Sequence, residues 1–77
     1  MKSTYLKNFI RNLTSENFFE HYELAIDPYK YIIRGKVSFI YLELNRQTGE
    51  HITGNFFDKD LFNKLYKVCQ ELDCFEN

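Results

Sequence analysis

Two histidines, His21 and His51, are the only side chains of this 77-residue chain that change charge near neutral pH without help from their surroundings. As a general base, either would need a nucleophile within hydrogen-bond reach, and the spacing places no serine or cysteine beside one. The Gly-x-Ser-x-Gly elbow of serine hydrolases is also absent. Each histidine is therefore expected to be an ordinary polar group. Cys69 and Cys74 enclose four residues, at the edge of the roughly two to four usual between paired zinc ligands. The histidines would complete such a set only by converging over long range. A core thiol at Cys69 and a tail thiol at Cys74 are the simpler expectation. Glu43 and Glu50 flank a turn, while Asp58 and Asp60 open a helix, where negative charge favours the helix dipole. Gly35, Gly49 and Gly54 are scattered and form no phosphate-binding loop. The residues suggest no catalytic group, no metal site and no cofactor, so the chain reads as non-enzymatic.

Those residues must be carried by short elements. Leu6, Phe9, Ile10 and Leu13 recur at the spacing of one apolar stripe on a helix, with Ser3 or Thr4 to cap its start. Thr14 to Asn17 interrupts the stripe and can open a short turn through Phe18-Phe19. Tyr22, Leu24 and Ile26 then alternate with Glu23 and Ala25 as in a strand, which Asp27-Pro28 ends. Residues 29–34 form another strand, closed by a two-residue turn at Gly35-Lys36 that pairs Ile32 with Phe39 and Lys30 with Tyr41. A competing reading makes 29–45 one strand with a bulge at Gly35. Gln47-Thr48-Gly49 suits a three-residue loop with Gly in the left-handed position, pairing Leu44 with Ile52 and Leu42 with Gly54. A helix from about Asp58 to Leu72 follows, with Asp58 as N-cap and Phe57 and Phe62 as a hydrophobic staple. Leu61, Phe62, Leu65, Tyr66, Val68, Cys69 and Leu72 make its buried side. Residues 73–77 read as a loose tail.

The architecture expected is a single α+β domain over residues 1–77: a three-stranded antiparallel β-meander flanked by an N-terminal and a C-terminal helix, in the order α-β-β-β-α. At this length one core is small, so marginal stability or dimerisation is expected. Lys and Arg number 10 against 11 Asp and Glu, a formal net charge of −1. A strong nucleic-acid binder would normally be clearly basic. No apolar run approaches the roughly 20 residues of a membrane-spanning helix. The N-terminus lacks the apolar core of a signal peptide, which leads to the expectation of a cytoplasmic protein that does not meet membranes.

Surplus aromatic surface is the strongest functional signal. The chain holds 8 Phe and 6 Tyr, and residues 37–44 are apolar on both parities, more than one core can bury. In the expected register one sheet face gathers Lys30, Ile32, Arg34, Val37, Phe39, Tyr41, Glu43 and His51. Such a face is either covered by the first or last helix or open to a protein partner, because Tyr, Phe and Arg anchor interfaces. Single-stranded nucleic acid is the alternative, since an aromatic and basic sheet can stack bases. Residues 34–41 share a basic first residue, a second-position Gly and a final aromatic with the octapeptide of RNA-recognition motifs. They depart from it at Lys36 and Ser38, where that motif puts stacking aromatics, and the order of elements differs. The family is therefore not assigned.

The reading favoured by the sequence is a non-catalytic protein-binding module with Lys30, Arg34, Phe39, Tyr41 and His51 as partner-binding residues. A composition rich in Phe, Tyr, Asn, Lys and Ile points to an AT-rich genome, and so to a small phage or mobile-element regulator or inhibitor of a host protein. A small enzyme ranks third. Homodimerisation is expected through the His51–Phe57 edge, which carries no charge, or through the aromatic face.

Overall fold

Residues 11–36 and 38–76 are described by a computed structural model of the chain. Where Tyr22, Leu24 and Ile26 alternate with Glu23 and Ala25 the backbone runs extended as β1 (Tyr22–Ile26). It turns at Asp27-Pro28 into β2 (Lys30–Gly35), and the two pair antiparallel without interruption from Tyr22 with Gly35 to Ile26 with Tyr31. β3 (Tyr41–Asn45) and β4 (His51–Gly54) complete a four-stranded antiparallel sheet in the order β1-β2-β3-β4. The class is α+β, but the sheet has four strands rather than three. Residues 22–26 belong to it in full, because Tyr22, Leu24 and Ile26 extend the apolar face of β2. A four-residue helix, α1 (Phe18–His21), precedes β1 and buries Phe18. The helix expected over Leu6, Phe9 and Ile10 lies outside the described residues. Leu13, the last of its stripe, is buried in the core.

The turn after β2 lies further along the chain than Gly35-Lys36. Arg34 pairs with Tyr41 instead of Val37, and Lys30 with Asn45 instead of Tyr41. Lys36 continues the β1 ladder, donating its N–H to the His21 carbonyl at 2.8 Å, so the chain cannot yet reverse. Ser38 then folds back over Gly35, where any Cβ would collide with the Ser38 hydroxyl. The slip is an even number of residues, so the side chains of β2 and β3 keep their expected faces.

The second hairpin follows expectation at its turn and departs from it one step later. Gly49 takes φ 78°, the left-handed conformation glycine tolerates best. Asn45 holds the loop, its side-chain oxygen accepting from Gln47 N–H at 2.8 Å and Thr48 N–H at 3.1 Å. Leu42 pairs with Gly54 and Glu43 with Thr53, but Leu44 pairs with His51 rather than Ile52. One extra residue on β4 is a bulge. It turns Ile52 outward, 48% exposed, and reverses the face of His51.

The last helix, α2 (Lys59–Glu76), lies on the sheet face of Tyr31, Ile33, Leu42 and Leu44. Leu61, Phe62, Leu65, Val68 and Cys69 are its buried stripe. Side chains of this size contribute about 1.5–3 kcal/mol each when fully buried. Asp58 caps the start, its carboxylate accepting from Asp60 N–H at 3.1 Å and Leu61 N–H at 3.2 Å. Phe57 and Phe62 meet edge to face with ring centroids 5.3 Å apart, completing the staple. The helix does not stop at Leu72. Residues expected as a loose tail form a further turn, because Asp73 reaches the sheet. Its carboxylate accepts from Arg46 Nε at 2.8 Å, Arg46 Nη2 at 2.9 Å and the Tyr31 hydroxyl at 2.7 Å. Tyr66 adds a bond from its hydroxyl to the Arg46 carbonyl at 2.8 Å.

Candidate interaction surface

On the sheet face away from α2, alternation along β2 and β3 sets Lys30, Ile32 and Arg34 beside Tyr41 and Glu43. Glu43 is the centre of this group and is only 9% exposed. Lys30 Nζ lies 2.8 Å from one carboxylate oxygen, and the Tyr41 hydroxyl donates to the other. The bond to Lys30, with that from Tyr41, holds the Glu43 carboxyl below its ordinary range. The same bond from the other side raises Lys30, and the bond to Glu43 raises Tyr41. All three groups move away from neutrality, so the cluster suits holding two strands in register better than transferring a proton. Arg34 sits at the open end of this face, exposed, between Glu23 of β1 and Tyr41 of β3.

Phe39 stands just before β3 rather than within it, and its side chain is 97% exposed. Its backbone is nevertheless anchored. Asn55 donates from its side-chain amide to the Phe39 carbonyl and accepts from Tyr41 N–H at 3.0 Å. Asn55 N–H donates to the Tyr41 carbonyl at 3.1 Å, and Gly35 N–H donates to the Ile40 carbonyl at 2.8 Å. Asn55 thus acts as a short extra strand partner for residues 39–41. Nothing in the sequence singled it out beyond its place after Gly54 at a strand end. Val37, expected on this face, lies outside the described residues.

His51 does not join this surface. The bulge carries it to the helix side, where its ring stacks on Phe62 with centroids 5.0 Å apart and planes 10° from parallel. Phe57 meets it edge-on at 5.5 Å. Of the five residues expected to bind a partner, Lys30, Arg34 and Tyr41 share a face, Phe39 projects from its margin, and His51 belongs to the core side. His21 is half-buried at the end of α1, 3.8 Å from the Glu20 carboxylate.

The cysteines occupy different surroundings. Cys69 is buried, and burial, with a smaller contribution from Asp73, pushes its thiol up to about 12. Cys74 is exposed. Among the described residues no three of His, Cys, Asp and Glu converge as metal ligands would, and no helix is long and apolar enough to cross a membrane. Compared with known proteins, the chain matches no family model, no curated protein and no solved structure.

Proposed function

We propose that the chain is a non-catalytic protein-binding module, a small regulator or inhibitor of a host protein encoded by a phage or other mobile element. Exposure of Phe39 on an anchored backbone carries the reading. A Phe side chain left in water forgoes about 1.5–3 kcal/mol that burial would supply. The Asn55 clamp means that little backbone freedom remains to be lost when a partner buries the ring, and such preorganisation favours binding. The source is inferred from composition alone.

Single-stranded nucleic acid fits this face less well. Its most enclosed group is the Glu43 carboxylate, which already neutralises Lys30 and would repel phosphate. A salt titration separates the two, since phosphate contacts weaken steeply as salt rises.

The experiment is affinity capture from the native host, followed by titration of the captured protein against wild type and Phe39→Ala. An aromatic anchor that a partner fully buries is worth about 2 kcal/mol or more. The variant should therefore bind at least about thirtyfold more weakly while melting at the wild-type temperature. Equal binding by both proteins would refute the role of Phe39.

A further inference from the structure

The two edges of the sheet are unlike. β4 carries the bulge at Ile52, which bends an edge and disturbs the regular spacing that another strand needs. The edge least guarded by charge is therefore blunted by its backbone. β1 pairs with β2 over all five of its residues without a register shift.

In an antiparallel ladder alternate residues point both backbone polar groups at the neighbouring strand, and those between point them away. Asp27 N–H donates to the Lys30 carbonyl at 2.9 Å, and Lys36 N–H to the His21 carbonyl at 2.8 Å. The odd-numbered residues of this segment therefore face β2. The backbone groups of Tyr22, Leu24 and Ile26 point away from β2, and among the described residues no strand lies beyond them. Tyr22 N–H alone turns back, donating to the Phe18 carbonyl.

We infer that β1 is a dimerisation edge, which pairs antiparallel with β1 of a second copy about a two-fold axis at Leu24. In that register Leu24 meets the same residue of the second copy, each donating its N–H to the other's carbonyl. Ile26 N–H meets the carbonyl of Tyr22 of the second copy. Both outward donors of each chain are then used. Only the Ile26 carbonyl keeps solvent, because Tyr22 N–H is held by Phe18.

The side chains accept the same register. On the outer face, exposed Glu23 comes opposite exposed Ala25 of the second copy, so no like charges meet directly. On the helix side, Leu24 and Ile26 are only partly buried against the core and would extend it across the seam. An isologous interface has to be self-complementary, and this edge is so in one register, which uses both outward donors of each chain and sets no like charges opposite each other. The product is a continuous eight-stranded sheet with both α2 helices on one side.

Ala25 provides the test. Ala25→Glu places a carboxylate opposite Glu23 of the second copy at two symmetric positions, and Ala25→Lys places an ammonium there. Sedimentation across a concentration series should show dimerisation weakened about 2- to 30-fold by Ala25→Glu and strengthened to a similar degree by Ala25→Lys. Within one chain the nearest cations, Lys30 and Arg34, flank Ala25 diagonally from β2. Monomer stability should therefore shift in the opposite sense, and folding is followed by circular dichroism. Residue-resolved hydrogen exchange provides a second readout. The Leu24 and Ile26 amides should gain protection as concentration rises, while the Ala25 amide is protected throughout. A chain that stays monomeric at millimolar concentration, unchanged association in both charge variants, or a Leu24 amide indifferent to concentration would each overturn the inference.

Discussion

Tyr31→Phe tests whether the last turn of α2 is truly fastened to the sheet. Tyr31 is 2% exposed, and its hydroxyl donates to Asp73 at 2.7 Å. The substitution keeps the ring, which packs against Tyr66 at 5.9 Å, and removes only the donor. A hydrogen bond to a charged acceptor contributes about 1.5–3 kcal/mol net. Asp73 retains both bonds from Arg46 and is not left unpaired, so the lower part of that range applies, about 1.5–2 kcal/mol. In a domain of this size each kcal/mol moves the melting temperature by about 4–8 °C, so a fall of about 6–16 °C is expected by circular dichroism. An alkaline titration adds a sign. Burial first, and then the bond to Asp73, raise the Tyr31 phenol above its ordinary value near 10. Its contribution is thus complete below about pH 10 and is lost as pH climbs toward the raised value. The phenylalanine variant has no such group, so its stability should fall less steeply above about pH 10. A melting temperature within about 2 °C of wild type, with an unchanged alkaline slope, would refute the argument and return residues 73–76 to a loose tail.

Further outcomes follow from the same geometry. Phe39→Ala should change folding stability by less than about 0.5 kcal/mol in urea melts, whereas Leu65→Ala should lose about 2–5 kcal/mol. Gly49→Ala forces φ 78° on a residue whose Cβ would lie 2.7 Å from the Tyr66 ring, and should lower stability by about 1–3 kcal/mol without changing the urea slope. Glu43 has a depressed carboxyl, so its stabilisation is present above the unfolded value and is lost as pH falls through the folded one. Wild type and Glu43→Gln should therefore converge in stability in acid, followed by melting from neutral pH downward. Under native conditions a thiol reagent should label Cys74 once and spare Cys69, read by intact mass; double labelling before unfolding would contradict the burial of Cys69.

Much of this architecture could be read from local pattern, for an identifiable reason. Apolar residues at helical spacing marked the buried stripe of α2 from Leu61 to Cys69, and Asp58 with Phe57 marked its start, because capping and periodicity act over a few residues. The faces of β2 and β3 were also legible. A strand repeats every two residues, so the even slip past Gly35 leaves Lys30, Arg34 and Tyr41 on one side although their partners differ from those expected. The same period explains the failure at His51. A single bulged residue inverts everything beyond it, and the rings that His51 then meets, Phe57 and Phe62, lie outside the strand, where its alternation carries no signal of them. Asp73 was unreadable for a related reason. Its partners Tyr31 and Arg46 are 42 and 27 residues away, and only packing of the helix across the sheet brings them within reach. Asn55 binds residues 39 and 41 from across a hairpin, so the anchoring that makes Phe39 a candidate contact was likewise decided by tertiary structure. What the chain's own pattern determined was which residues could be buried together. The choice of which polar groups would meet across the sheet belonged to the fold, because such contacts join distant residues and leave no periodic trace in sequence.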